Sequence, residues 1–233
     1  MNRIDPDFKN KLKPFGIGNW NECYHCGNCT AICPHSEEGF LFPRKGIRAV
    51  QMGLTDSIHK NVNPWLCYYC GDCSESCPRD ANPGELMMSL RRYLTTIYDW
   101  TGLSRFLYTS IPALITAFVL VAVSIIGVGY LKNFDAHSIM EFGHRFELIA
   151  ILSVAGIILL PNVFRMLWFT LGKEKIRAPL SSYLTGFWSL ILHMFTQKNT
   201  LKCEDKGIQW FEHFILVLGY LLLLFTTVFH FLI

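Results

Sequence analysis

Between Phe106 and Leu131 the chain carries no charged residue, and a helix of that length, rising about 1.5 Å per residue, crosses a hydrocarbon core of about 30 Å. The run predicts a first membrane-spanning helix. A second uncharged run, Leu148 to Phe164, continues past Arg165 into Met166 to Leu171. Arg165 then lies near an end where its long side chain reaches the polar boundary, and Pro161 predicts a kink one turn before it. A third run begins after Glu212 and extends from His213 to Ile233. Leu180 to Gln197 is also uncharged, but Leu180, Leu184, Phe187, Trp188 and Phe195 belong to an apolar stripe opposite Ser181, Ser182, Thr185, Ser189, His193 and Thr196. Such a stripe predicts an interfacial amphipathic helix lying in the membrane surface, not a fourth span.

The amino-terminal half has a different texture. Asn82 and Pro83 precede apolar positions at Leu86, Met87, Leu90 and Leu94, which predicts a helix; Pro43 to Gly53, with proline at its start and glycine at its end, predicts another. No stretch alternates as a strand would, so this half is expected to be mainly helical. The lead-in over residues 1–22 holds Lys9, Lys11, Lys13, Pro14, Gly16 and Gly18 without periodicity. It reads as a solvated extension, with a docking arm as the alternative.

Composition sharpens this division. The chain is 51% hydrophobic and 17% charged, a departure toward membrane proteins, and its net charge of +3 is too small to argue for nucleic acid. The expected organisation is mainly α: over residues 1–105 a helical domain whose two cysteine runs, Cys23 to Cys33 and Cys67 to Cys77, make it di-cluster and ferredoxin-like, then a transmembrane helical domain over residues 106–233 with about three spans plus the interfacial helix. The segment after the second span carries Lys173, Lys175, Arg177, Lys198, Lys202 and Lys206; the one after the first carries Lys132 and Arg145 against Asp135, Glu141 and Glu147. Positive residues stay on the cytoplasmic side, so the orientation predicted is a multi-pass inner-membrane protein with its amino-terminal domain in the cytoplasm.

The chemistry lies in two copies of one pattern. Cys23, Cys26, Cys29 and Cys33, followed by Pro34, and Cys67, Cys70, Cys73 and Cys77, followed by Pro78, each read C-x2-C-x2-C-x3-C-P, the spacing that wraps thiolates around a 4Fe-4S cube. The fourth cysteine of such a run ligates the other cluster. The expected pairing therefore sets Cys23, Cys26, Cys29 and Cys77 on one cube and Cys67, Cys70, Cys73 and Cys33 on the other. Gly27 and Gly71 occupy the same place in each copy, where the backbone needs positive φ. Structural zinc and disulfides are the alternatives. Zinc sites separate their C-x2-C pairs by longer gaps, and Met1 to Asn10, charged and without an apolar core, reads as no signal peptide for an oxidising compartment. Cys203 is the odd cysteine and reads as an unligated thiol.

His213 and His230 fall on the third span, about 25 Å apart along its axis and hence near opposite faces of the bilayer. Ionisable groups there are functional candidates, and histidine is an axial ligand of haem. His213 is expected as a haem ligand on the cytoplasmic side, with an interfacial hydrogen-bonding role as the alternative. His144 and His230 form a candidate outer pair, and His193 is a weaker partner for His213.

A two-cube module joined to membrane helices resembles the C subunit of heterodisulfide reductase fused to a cytochrome b like its E subunit, the arrangement of the membrane subunit of quinone-interacting membrane-bound oxidoreductases. The residues carrying the resemblance are the two cysteine runs and, less specifically, Trp210 to Phe214. The resemblance implies electron transfer between a membrane quinone and cytoplasmic flavin and iron–sulfur subunits, like the A subunit of heterodisulfide reductase, through haem b. Two departures stand out: the chain stops at Ile233 inside an apolar run, which reads as an incomplete bundle or one finished by a further membrane subunit, and the Cys-Cys-Gly pattern of a heterodisulfide-reducing site is missing. No catalytic residues are expected, and substrate chemistry is expected elsewhere. The competing function is a membrane-tethered iron–sulfur or zinc module for interaction or redox sensing, without electron throughput.

Overall fold

A computed structural model describes residues 4–36, 41–172, 179–196 and 207–232. The described residues form helices and turns with no strand, as the absence of alternating patterns predicts. In chain order the helices are α1 (Phe8–Leu12), α2 (Asn28–Ile32), α3 (Arg44–Gln51), α4 (Thr55–His59), α5 (Asn63–Leu66), α6 (Asp72–Glu75), α7 (Pro83–Tyr98), α8 (Leu103–Thr109), α9 (Ile111–Leu131), α10 (Ala136–Gly172), α11 (Leu180–Thr196) and α12 (Gly207–Leu232).

α7 is the spine of the cluster-bearing half. Proline at its first turn suits a position whose N–H has no helical partner, and the helix runs four residues beyond the expected Leu94. It buries Leu86, Met87, Leu90 and Leu94 against Ile47 and Val50 of α3 and Ile58 of α4. The lead-in is not a solvated extension. Phe8 and Leu12 of α1 are fully buried, Phe15 and Trp20 nearly so, and the rings of Phe8 and Phe15 meet Tyr93 edge-on at 5.5 and 5.7 Å. Its apolar residues lie on one short helix and two tight turns, too short for a period to register. Tyr93 also meets His59, its hydroxyl 2.9 Å from Nε2, and burial pushes its phenol up to about 12.

The membrane half differs. Three helices are long and apolar enough to cross a bilayer, Ile111–Leu131, Ala136–Gly172 and Trp210–Thr227 by their most apolar extents, and almost none of their residues are buried within the protein. The first does not start at Phe106: Ser110 is extended and its hydroxyl accepts from the Ala113 N–H at the start of α9, so α8 and α9 are separate helices. Pro112, in the first turn of α9, has no N–H to continue a helix across the break. The second runs on through Pro161, as expected of a span. Widened π turns at Val154–Leu159 precede the proline, and the Ile157 carbonyl that Pro161 cannot serve accepts the indole N–H of Trp100 at 2.8 Å. α11 is a separate helix and not among the three candidates to span.

One joint ties the halves together. Arg165 of α10 donates through Nε to the Tyr98 carbonyl at 2.9 Å and through Nη2 to Ile97 at 3.1 Å, satisfying the carbonyls that end α7. The Trp100 N–H reaches Asn162 Oδ1 at 3.2 Å. Asp99 caps the turn between them, accepting from the Ser104 N–H at 2.7 Å and the Thr101 hydroxyl at 2.6 Å. Burial alone would raise the Asp99 carboxyl; these hydrogen bonds outweigh it and hold the group well below the usual carboxylate range.

Candidate functional site

The two cysteine runs fold alike. In each, the residue before the second cysteine is left-handed, His25 at φ 63° and Tyr69 at φ 56°, and the glycine after it follows at φ 92° for Gly27 and 94° for Gly71. This double left-handed bend curls three cysteines around one centre, and only the glycine position was legible from the sequence. A short helix starts straight after each glycine, α2 in the first run and α6 in the second, and the two helices pack together. Asn28 Nδ2 donates to the Ser76 carbonyl at 2.6 Å across this contact. Each helix therefore delivers its closing cysteine to the other run's loop.

Two cavities result. One is lined by Cys23, Cys26 and Cys29 together with Cys77; the other by Cys67, Cys70 and Cys73 together with Cys33. Burial pushes up the Cys29 thiol, with neighbouring Cys23, Cys26 and Cys77 adding to it, and also the Cys33 and Cys67 thiols; it drives Cys73 up to about 12. Clustered, partly buried thiolates are costly without a compensating cationic core, which is what a metal centre provides. Among the described residues no three His, Cys, Asp or Glu side chains converge closely enough to hold one ion. Each cavity thus has four cysteines in its wall, the number of thiolates that a 4Fe-4S cube takes.

Residues that spacing could not reveal complete each site. Arg91 of α7 donates through Nε to the Pro64 carbonyl at 2.6 Å and through Nη2 to the carbonyls of Trp65 and Cys67, with its guanidinium 5.8 Å from the Trp65 ring centre. It anchors the chain that enters the second run. Arg44 of α3 lines the first cavity. Backbone N–H groups of Tyr69 and Ala81 donate to Cys67 and Cys77 sulfur, each at 3.4 Å.

On the membrane side, Tyr68, between Cys67 and Cys70, lies with its ring 5.6 Å from that of His193 on α11 and 4.7 Å from that of His35. α12 packs on α11, where the Trp210 indole donates to the Thr196 carbonyl at 3.2 Å, and His213 is near enough to His193 to act on it electrostatically. His213 thus lies near the start of α12, at the end that packs on α11. His144, on α10, is about 30 Å along the axis from Arg165 and so from the cluster-bearing half. His230 belongs to the far end of α12, and its side chain lies outside the described residues, as does Cys203.

Fold and site together define an iron–sulfur electron-transfer protein with candidate membrane helices. Residues 17–78 match the family of 4Fe-4S dicluster domains. Over 88 residues the chain is 36% identical to a protein of Archaeoglobus profundus described as like the C subunit of heterodisulfide reductase, a match covering 37% of this chain and 47% of that protein. Over 63 residues it is 37% identical to the C subunit of the H(2):CoB-CoM heterodisulfide,ferredoxin reductase of Methanothermobacter marburgensis, covering 27% and 34% of the two chains, and it is equally similar to the protein of the same name in Methanothermobacter thermautotrophicus. The chain spans less than half the length of these curated relatives. No solved structure matches it.

Proposed function

We propose that this chain is a membrane-anchored subunit that passes electrons between a quinone pool and soluble flavin and iron–sulfur subunits, through two 4Fe-4S clusters and haem b. The observation that carries the reading is the pair of cavities, each walled by three cysteines of one run and the fourth of the other, in a unit joined to long apolar helices. Cys23, Cys26, Cys29 and Cys77 would hold one cluster, and Cys67, Cys70, Cys73 and Cys33 the other.

A bound cluster supplies reversible one-electron chemistry. The chain's own residues set its conditions. Cys29 is buried and Cys33, Cys67 and Cys73 are partly so, which limits water at the sulfurs, while the N–H groups of Tyr69 and Ala81 stabilise charge on the Cys67 and Cys77 sulfurs and the Arg91 guanidinium adds to this at Cys67. Tyr68 and His193 connect the second cavity to α11 and, through it, to His213. His213 would be the haem ligand on the cluster side, with His144 and His230 as a pair at the other end of the bundle.

Orientation and partners belong to the same reading. Arg165 meets the cluster-bearing half, so α10 ends at Gly172 on that side; with Lys173, Lys175 and Arg177 next in the sequence, the positive-inside tendency makes this side cytoplasmic, and the membrane would be the inner one. The partners are a flavoprotein like the A subunit of heterodisulfide reductase, membrane quinone and a further membrane protein of the same complex; the division at residue 105 marks the hand-over between solvents.

The test uses membranes containing the full chain and a short-chain quinol as reductant. Bleaching of the broad visible iron–sulfur absorbance, with b-type haem bands that disappear in His213→Ala, is expected. Zinc in place of iron and acid-labile sulfide would overturn the reading and favour a tethered interaction module.

A further inference from the structure

The two cavities open onto different surroundings. The first shares two walls, His25 and Arg44, with a surface cleft that Leu41, Lys45 and Arg48 complete. Lys45 and Arg48 are exposed, Cys26 is exposed beside them, and Tyr24 retains 60% of its surface. The edge of the first cluster site therefore reaches solvent within a cationic patch. Among the described residues no acidic group walls the cleft, and no carboxylate pairs with Arg44, Lys45 or Arg48. Arg44 and Arg48 stand one turn apart on α3, where like charges destabilise a helix, while the opposite face of α3 is fixed by Ile47 and Val50 in the core. The second cavity has Asp72 and no lysine or arginine in its wall, and its Tyr68 is covered by His193 of α11.

We propose that the His25, Arg44, Lys45 and Arg48 patch docks the acidic face of a soluble redox protein, making the first-run cluster the point of exchange with the partner. The inference rests on the electron-carrier reading of the clusters. Each encounter moves one electron: the partner's centre is oxidised by one unit as the cluster is reduced by one, or the reverse, and no bond forms or breaks. Complementary charge acts chiefly on the association rate and is screened by salt.

The full chain in nanodiscs would be mixed in a stopped-flow cell with a chemically reduced, acidic plant-type ferredoxin, following cluster absorbance. The second-order rate constant is expected to fall with ionic strength. Lys45→Glu with Arg48→Glu should lower it about tenfold at low salt, and Lys45→Gln with Arg48→Gln by less. A control pair, Lys9→Glu with Lys13→Glu, alters exposed cations on α1 and the turn after it and should leave the rate unchanged. Reduction by photogenerated neutral deazaflavin radical should be the same in all variants. A ferredoxin rate indifferent to the α3 reversals, or lowered equally by the control pair, overturns the docking site and leaves the electron-carrier reading standing if deazaflavin still reduces the clusters. Clusters that deazaflavin cannot reduce defeat both.

Discussion

Leu94 in α7 is fully buried, while Leu160 in α10 keeps 67% of its surface. The contrast runs through the molecule: the amino-terminal half hides its large apolar side chains in a core around α7, and α9, α10 and α12 turn theirs outward. The same residue types are sorted by two solvents. In water, burial of leucine stabilises the fold; in lipid, outward leucine is already in its preferred medium, and helices stay together through close packing and hydrogen bonds. The cluster sites lie in the half with a fixed core because eight cysteines must keep their geometry.

This contrast predicts opposite responses to one substitution. Leu90→Ala in α7 should destabilise the cluster-bearing half by about 2–5 kcal/mol and release iron at lower denaturant. Leu120→Ala on the outer face of α9 should change stability by less than about 0.5 kcal/mol. Equal effects, measured as iron retention against urea in detergent, would erase the distinction between the two solvents.

Smaller effects are expected at the joint. Arg165→Ala leaves the Tyr98 and Ile97 carbonyls without their donor and should cost about 1–3 kcal/mol. Limited proteolysis near Asp99 would become faster than in the wild type; an unchanged pattern would mean the halves are held otherwise. Asp99→Asn should cost about 1 kcal/mol at neutral pH. Because the native Asp99 carboxyl is held below its unfolded value, its contribution is present above the ordinary carboxylate range and fades as pH falls through the native value. The wild-type advantage should therefore shrink in acid. An advantage that grows in acid would contradict the capping role.

Long patterns were legible in the sequence and short or compensated ones were not. The cysteine runs, the helices near Pro43 and Pro83 and three apolar spans are long or repeated enough to read directly. The buried lead-in was missed because α1 holds a single turn and a half of helix, and its lysines point outward around Phe8 and Leu12. The partner of the Ile157 carbonyl that Pro161 strands, the indole of Trp100, is distant in sequence and could not be read there. Arg44 and Arg91 are ordinary helix residues until folding brings them to the cysteines. Deleting residues 1–14, which a solvated arm would tolerate, should instead remove Phe8 and Leu12 from the core and cost the clusters.

The central claim is that the runs interlock, each closing the other's site. Cysteine-to-serine variants of the full chain, reduced and compared by EPR, test it directly. Cys77→Ser should reproduce the altered signal of Cys26→Ser, and Cys33→Ser that of Cys70→Ser. If Cys77→Ser instead matches Cys70→Ser, each run holds its own cluster and the interlocked account is wrong.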